Sequence, residues 1–294
     1  MLAALAIGLV PGGRASAQQA APAAWAEVEK TLGRAGEEKD GVYRVAFPRT
    51  DLRVRAGGVT LRPGLALTSW AAFLRAGNAT MMMGDLVLLG AEVTPVVSAL
   101  SQAGIEITAL HNHIVGEQPR VMYLHFHGHG DAARLAAALR DALAKTSTPL
   151  GAPRSATSAA QPPATPDADL LSKILGRTGT ARGGVVSFSI PRAEKITASG
   201  ATLSLRMGVA TAINFQVEGS GAVTTGDFVL LAGEVQPVIA ALRQHGIEVT
   251  ALHNHMLDEQ PRLFFLHFWG HGDAAKLAQG LRAALDRTQH AGGP

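Results

Sequence analysis

An internal duplication constrains this chain more than any other feature. Residues 105–133 align with residues 247–275 at an offset of 142, and 21 of those 29 positions are identical. The shared block includes Ala109-Leu110-His111-Asn112-His113 against Ala251-Leu252-His253-Asn254-His255. The match runs back through Gly84-Asp85 with Gly226-Asp227 and Glu92-Val93 with Glu234-Val235. With a small gap it reaches Leu32-Gly33-Arg34, which pairs with Leu175-Gly176-Arg177. Two homologous domains follow. Between them, residues 146–166 are rich in Ser, Thr, Ala and Pro, a composition that cannot build a core and reads as a semi-extended tether. The expected division is a first domain at 18–146, a linker at 147–166 and a second domain at 167–294.

At 294 residues, with 47% hydrophobic and 17% charged, the chain has enough apolar material for two buried cores, which excludes wholesale disorder. A net charge of +3 over this length does not imply a nucleic-acid surface. Zero cysteines exclude disulfides, thiolate metal sites, cysteine nucleophiles and thioether lipid anchors. The apolar run at residues 1–10, followed by Ala15-Ser16-Ala17, reads as an export signal at 1–17, so the expected location is periplasmic or secreted. No later segment approaches the roughly 18 apolar residues of a membrane helix, so no membrane span is expected in the mature chain.

Each copy carries the same order of elements. In the first, Trp25, Val28 and Leu32 have helical spacing, and residues 41–47 and 59–67 alternate as strands. A strand at 85–89 leads to Thr94-Pro95, a helix start that places Thr at the cap and Pro in the first turn. That helix ends at Gly104, strands follow at 105–114 and 120–127, and Asp131 caps a final helix with Leu135, Leu139 and Leu143 inward. The fold class is α+β: two homologous domains, each a β-α-β-β-α core preceded by a helix and extra strands.

Histidine placement is the strongest chemical signal. Of eleven histidines, five lie at 111–129 and four at 253–271. In a strand, residues two apart share a face, so His111 and His113 project together, as do His253 and His255. Glu117 and Glu259 follow at a fixed spacing, the next strand brings His125 or His267, and His129 or His271 lies between glycines before the last helix. Imidazole plus carboxylate suits a divalent Zn, Cu, Ni, Mn or Fe ion. His125 joins the face of His111 only if the paired residue numbers sum to an even value, because a one-residue slip reverses the faces. The competing reading is a buried histidine network that cross-links strands through hydrogen bonds.

The spacing of His111, His113 and Glu117 resembles the first metal motif of the cupins, but two helices per domain depart from that all-β plan. The contiguous His-Asn-His is also unlike the nucleases named for those letters, which scatter the three residues over a ββα unit. A fuller resemblance rests on Gly226-Asp227-Phe228-Val229-Leu230, Glu234-Val235 with Pro237-Val238, His253-Asn254-His255-Met256, Glu259 with Pro261-Arg262, and Leu266-His267-Phe268-Trp269-Gly270. This string is similar to the bacterial LppY/LpqO family of exported proteins built on a domain of unknown function. The resemblance implies an envelope location and a shared domain, and brings no activity or catalytic residue.

Arg120 and Arg262 follow proline in both copies and could hold an anionic ligand, although a structural pair with Glu117 or Glu259 is the simpler role. Turn or helix-terminus roles are expected for Asp85, Asp227, Glu92 and Glu234. Met81, Met82 and Met83 have Val223, Thr224 and Thr225 as counterparts, so they are not ligands of a shared site. Three classes of function remain. The first is a binding or sensing protein with a site for a metal ion or small ligand in each domain. The second is a metal-dependent hydrolase or oxygenase with Glu117 or Glu259 as ligand or base. The third is a structural envelope protein. Oligomeric state is not legible.

Overall fold

The computed structural model describes residues 25–151 and 164–291. The expected signal at 1–17 and most of the expected linker lie outside the described residues. The first domain runs α1 (Ala26–Leu32), β1 (Glu37–Lys39), β2 (Val42–Pro48), β3 (Arg55–Ala56), β4 (Val59–Thr60), α2 (Pro63–Ala66), β5 (Thr68–Ala76), β6 (Ala79–Leu89), α3 (Gly90–Gln102), β7 (Glu106–His111), β8 (Val121–Gly130) and α4 (Ala132–Leu143). The second repeats it as α5 (Ala168–Leu175), β9 (Thr180–Arg182), β10 (Val185–Pro191), β11 (Thr197–Ala198), β12 (Ala201–Thr202), β13 (Ala210–Glu218), β14 (Gly221–Leu230), α6 (Val235–Gln244), β15 (Glu248–His253), β16 (Phe264–Gly272) and α7 (Ala274–Leu285). Each domain holds a six-stranded antiparallel sheet, ordered β1-β2-β5-β6-β8-β7 in the first and β9-β10-β13-β14-β16-β15 in the second. The α+β class and the β-α-β-β-α core are both present.

Three expected details change. Residues 59–67 are not one strand: β4 is two residues long, and Pro63 opens the short helix α2, where its fixed φ and missing N–H suit a first turn. Helix α3 begins at Gly90 rather than at Thr94-Pro95, because the Glu92 carboxylate accepts the Leu89 N–H at 2.8 Å and caps the helix earlier. Its counterpart Glu234 accepts the Leu231 N–H at 2.7 Å. The strand expected at 105–114 ends at His111, which leaves His113 in the following loop. The Asp131 cap stands, its side chain accepting the Arg134 N–H, and Asp273 does the same for Lys276.

One face of each sheet is covered by helices. In the first domain Tyr43, Val45, Phe47, Phe73, Met82, Leu124 and Phe126 pack against Val28, Leu32, Leu100, Leu139 and Leu143. Full burial of such side chains contributes roughly 1.5–3 kcal/mol each. A buried ion pair ties the rear of each sheet to its helix: Arg49 donates to Glu92 at 2.8 Å and to the Val87 carbonyl, and Arg192 does the same with Glu234 at 2.7 Å and the Val229 carbonyl.

The other face of each sheet carries no helix of its own domain, and the two such faces meet. The crossing segment of the second domain, with Ile196, Ala198, Leu203, Met207 and Val209, covers Val42, Ala72, Met81 and Met83 of the first. In return Val54, Val59, Leu61 and Leu65 lie in one cluster with Val185, Val223 and Trp269 of the second. The two domains thus exchange arms across a pseudo-two-fold axis, and the strands that hold the histidines lie between them.

A candidate metal centre between the two domains

Register decides which side chains reach the centre. In the first domain His111 pairs with Tyr123 and Ala109 with His125, sums that are even, so His111 and His125 share a face. The second copy repeats this with His253 opposite Phe265 and Ala251 opposite His267. The next strand adds Asp85, directly opposite His125, and Asp227, directly opposite His267. The preceding Gly84 and Gly226 have no room for a Cβ, which would meet Phe126 and the Trp70 carbonyl in one case and the Ala212 carbonyl in the other. Glycine lets the neighbouring strand approach, and the Gly226 carbonyl in turn faces His267 Nδ1 at 2.8 Å.

A bulge in each histidine strand stitches the domains together. Pairing shifts between Ile107 and Ala109, and between Val249 and Ala251, which re-aims Thr108 and Thr250. Thr108 Oγ1 donates to the His255 carbonyl and Thr250 Oγ1 to the His113 carbonyl, each at 2.5 Å. Asn254 Nδ2 donates to the Thr108 carbonyl at 2.8 Å, and Asn112 Nδ2 to the Thr250 carbonyl at 3.0 Å. The Asn of each His-Asn-His is therefore a cross-domain strut.

Six imidazoles converge as a result, three from each domain. His111 stacks on His253 with ring centroids 3.5 Å apart and His125 on His255 at 3.8 Å, while His113 meets His267 at 3.7 Å with the rings tilted by 30°. Within 4.8 Å of one another lie ligand atoms of His111, His113 and His267; of His111, His125 and His253; and of Asp227, His253 and His255. Both all-histidine groups mix the two domains, whereas Asp227, His253 and His255 belong to the second domain alone. The groups mix because the helix-free faces of the two sheets pack against each other.

Five of the six rings face a backbone carbonyl. Nδ1 of His111, His253, His255 and His267 faces the carbonyls of Asn112, Asn254, Gly208 and Gly226, and His125 faces that of Gly84. A carbonyl only accepts, so in a neutral ring Nδ1 carries the proton and Nε2 is a bare lone pair. All six Nε2 atoms are buried without a hydrogen-bond partner, as are Oδ1 of Asp85 and of Asp227. Asp227 Oδ2 stands 3.0 Å from His255 Nε2, and Asp85 Oδ2 stands 3.8 Å from His113 Nε2.

Burial pushes every one of these imidazoles toward neutrality. His111 is lowered to about 4 by desolvation and by the facing His253. His113, His125, His255 and His267 are held well below the usual value, first by burial and then by the other imidazoles, with Asp227 opposing it at His267. Burial and the Asp227 charge raise Asp85. Neutral imidazole lone pairs beside two carboxylates make a donor set that can hold a cation.

Other expected site residues are elsewhere. Glu117 Oε1 accepts the Val121 N–H and Glu259 Oε1 accepts the Leu263 N–H, so both acids hold the turn before the next strand rather than joining the imidazoles. Arg262 is exposed and bonds Glu259 and the Met256 and Leu257 carbonyls, while Arg120 is exposed on the equivalent turn. His129 and His271 are exposed near the strand ends, with His129 against His127 at 4.6 Å. Asp85 and Asp227 were assigned turn roles from sequence; they lie inside long strands, which only the Gly-Asp repeat beside the histidine repeat could have hinted at.

Among solved structures, the chain aligns with a trimeric bacterial microcompartment shell protein, PduB, at 16% identity over 87% of this chain and 91% of that one, with a TM-score of 0.24. It aligns with EtuB from Clostridium kluyveri at 13% identity over 85% and 88%, with a TM-score of 0.21. Comparison with curated proteins finds none that matches. Residues 26–145 and again residues 169–287 match the family described as Domain of Unknown Function (DUF1259), and the chain therefore belongs to that family, carrying its domain twice.

Proposed function

We propose that the protein binds divalent metal at a centre that neither domain forms alone, as a binding or sensing protein. The observation that carries this is the set of six buried Nε2 atoms with no hydrogen-bond partner. Leaving one buried polar atom unpaired costs about 1–3 kcal/mol, so six together call for an occupant. A hydrogen-bond network, the structural alternative, would align N–H groups edge-on to lone pairs; here two of the three cross-domain ring pairs stack face to face instead. The Nδ1–carbonyl bonds also match the way protein carbonyls orient metal-bound histidines. Imidazole with carboxylate accommodates Zn, Cu(II), Ni, Mn or Fe(II). The resemblance to the LppY/LpqO group adds an envelope setting to this reading.

A second reading, metal-dependent hydrolysis or oxygenation, draws on the cleft of about 530 Å³ that reaches His113, His125, His255, His267 and both aspartates. In that case the aspartates, not Glu117 or Glu259, are the carboxylates near a metal-bound water.

Metal content and affinity of protein purified without a histidine tag test the proposal. Outer-shell changes alone cost 10–100-fold in affinity, so His111→Ala and His253→Ala should each weaken binding by more than about 100-fold. Independent sites would instead leave one domain's metal untouched in each variant. Protein that holds no Zn, Co, Ni, Mn or Cu after equilibration with each would end this reading.

A further inference from the structure

The cleft over the centre is larger than a metal needs, and its two walls differ. Its volume of about 530 Å³ lies in the range of small-molecule pockets, roughly 300–1,000 Å³. Strand register pairs its positions between the domains: Trp70 stands opposite Asp85 as Ala212 stands opposite Asp227, and Arg44 opposite Ala72 as Ser187 opposite Asn214. The floor, made of Asp85, His113 and His125 with Asp227, His255 and His267, is the same from both sides. Above it the first domain presents Arg44 and Trp70 where the second presents Ser187 and Ala212.

Arg44 is a built feature of that wall. Its guanidinium carbon sits 3.8 Å above the Trp70 ring, and NH1 donates to the Arg206 carbonyl at 2.9 Å, so a stacked ring and an arm of the other domain fix it in place. One of five N–H donors is used there, and the rest of the fork is available to a ligand. Pro63, Leu65, Phe188 and Leu205 give the cleft an apolar side that suits an organic body. A divalent ion on this floor adds positive charge beside the Arg44 guanidinium, so the two together favour an anionic ligand.

We infer that the cleft binds a small organic carboxylate, with its carboxylate between Arg44 and the metal and its body against the apolar wall. The inference rests on the metal reading above. Because only one wall carries the cation, the ligand enters in one orientation despite the two-fold floor.

The test uses full-length untagged protein loaded with Co(II), whose visible absorption reports the centre. Acetate, succinate and benzoate are titrated, with benzamide as the neutral control and inorganic phosphate as the inorganic anion. At least one carboxylate should shift the Co(II) bands saturably, benzamide should not, and metal-free protein should retain no carboxylate in equilibrium dialysis. Arg44→Gln should weaken carboxylate binding about 10- to 100-fold, the scale of a charge-assisted hydrogen bond. Arg44→Lys, which keeps the charge and loses the fork, should fall between. Silence of all three carboxylates on the cobalt protein would overturn the inference, as would unchanged affinity in a cobalt-replete Arg44→Gln variant or tighter binding of phosphate than of any carboxylate. Failure to take up cobalt or any other metal would instead sink the metal reading, and this inference with it.

Discussion

The two domains agree residue for residue where they meet at the centre and disagree immediately above it. His111, His113, His125 and Asp85 have identical partners in His253, His255, His267 and Asp227, whereas Arg44 and Trp70 face Ser187 and Ala212. Position 127 differs too: buried His127 has Trp269 as its counterpart. The comparison teaches that identity is kept where the two histidine sets meet, in groups that draw on both domains. The walls are free to specialise.

The largest expected effect is on pH. Seven buried or half-buried histidines, four in the first domain and three in the second, have folded-state values lowered, to about 4 at His111 and His127. The unfolded chain takes up protons on these groups from about pH 6.5 downward and the folded chain does not, so stability is present above that pH and is lost as pH falls. Each group contributes up to about 1.4 kcal/mol per pH unit until its own folded value is reached. Denaturant midpoints in chelator at pH 7, 6 and 5 should therefore drop steeply. A flat profile would show that the imidazoles are solvated. His127→Trp, which makes the first domain like the second, should soften the slope by one group.

A smaller effect is expected at the buried ion pairs. Glu92→Ala and Glu234→Ala each leave a buried arginine with one carboxylate partner, Asp51 or Glu194, and should cost about 1.5–3 kcal/mol in unfolding free energy. Equal costs would show that the helix-side cores are equivalent, whereas an inequality above about 1 kcal/mol would place the divergence deeper than the cleft wall.

The smallest effect belongs to the struts. Asn112→Ala and Asn254→Ala each remove one cross-domain hydrogen bond, worth about 1 kcal/mol. Metal affinity should fall alongside stability, because the strut holds the loop that carries His113 or His255. A stability loss with unchanged metal affinity would separate the strut from the centre.

Much of this was legible in the sequence. The duplication, the β-α-β-β-α order, the Asp131 cap and the condition that places His125 beside His111 all follow from local rules. Strand β6 was read too short because Met81, Met82 and Met83 do not alternate: Met82 faces the helices while Met81 and Met83 face the other domain, so both sides are apolar. That hidden strand is the one that holds Asp85, which explains why the aspartates were assigned to turns. Glu117 and Glu259 looked like ligands because spacing along a chain does not say whether a carboxylate turns back to its own backbone. The meeting of the two histidine sets was out of reach, since it depends on which faces the helices leave bare.

The exchanged arms have a consequence for assembly. A self-complementary interface about a two-fold axis is the arrangement that two separate copies of one domain would form as a dimer, with half of the centre supplied by each. Carrying both copies on one polypeptide turns that encounter into an intramolecular event, governed by the effective concentration that the tether sets rather than by the amount of protein present. The meeting of the two histidine sets thus does not depend on protein concentration.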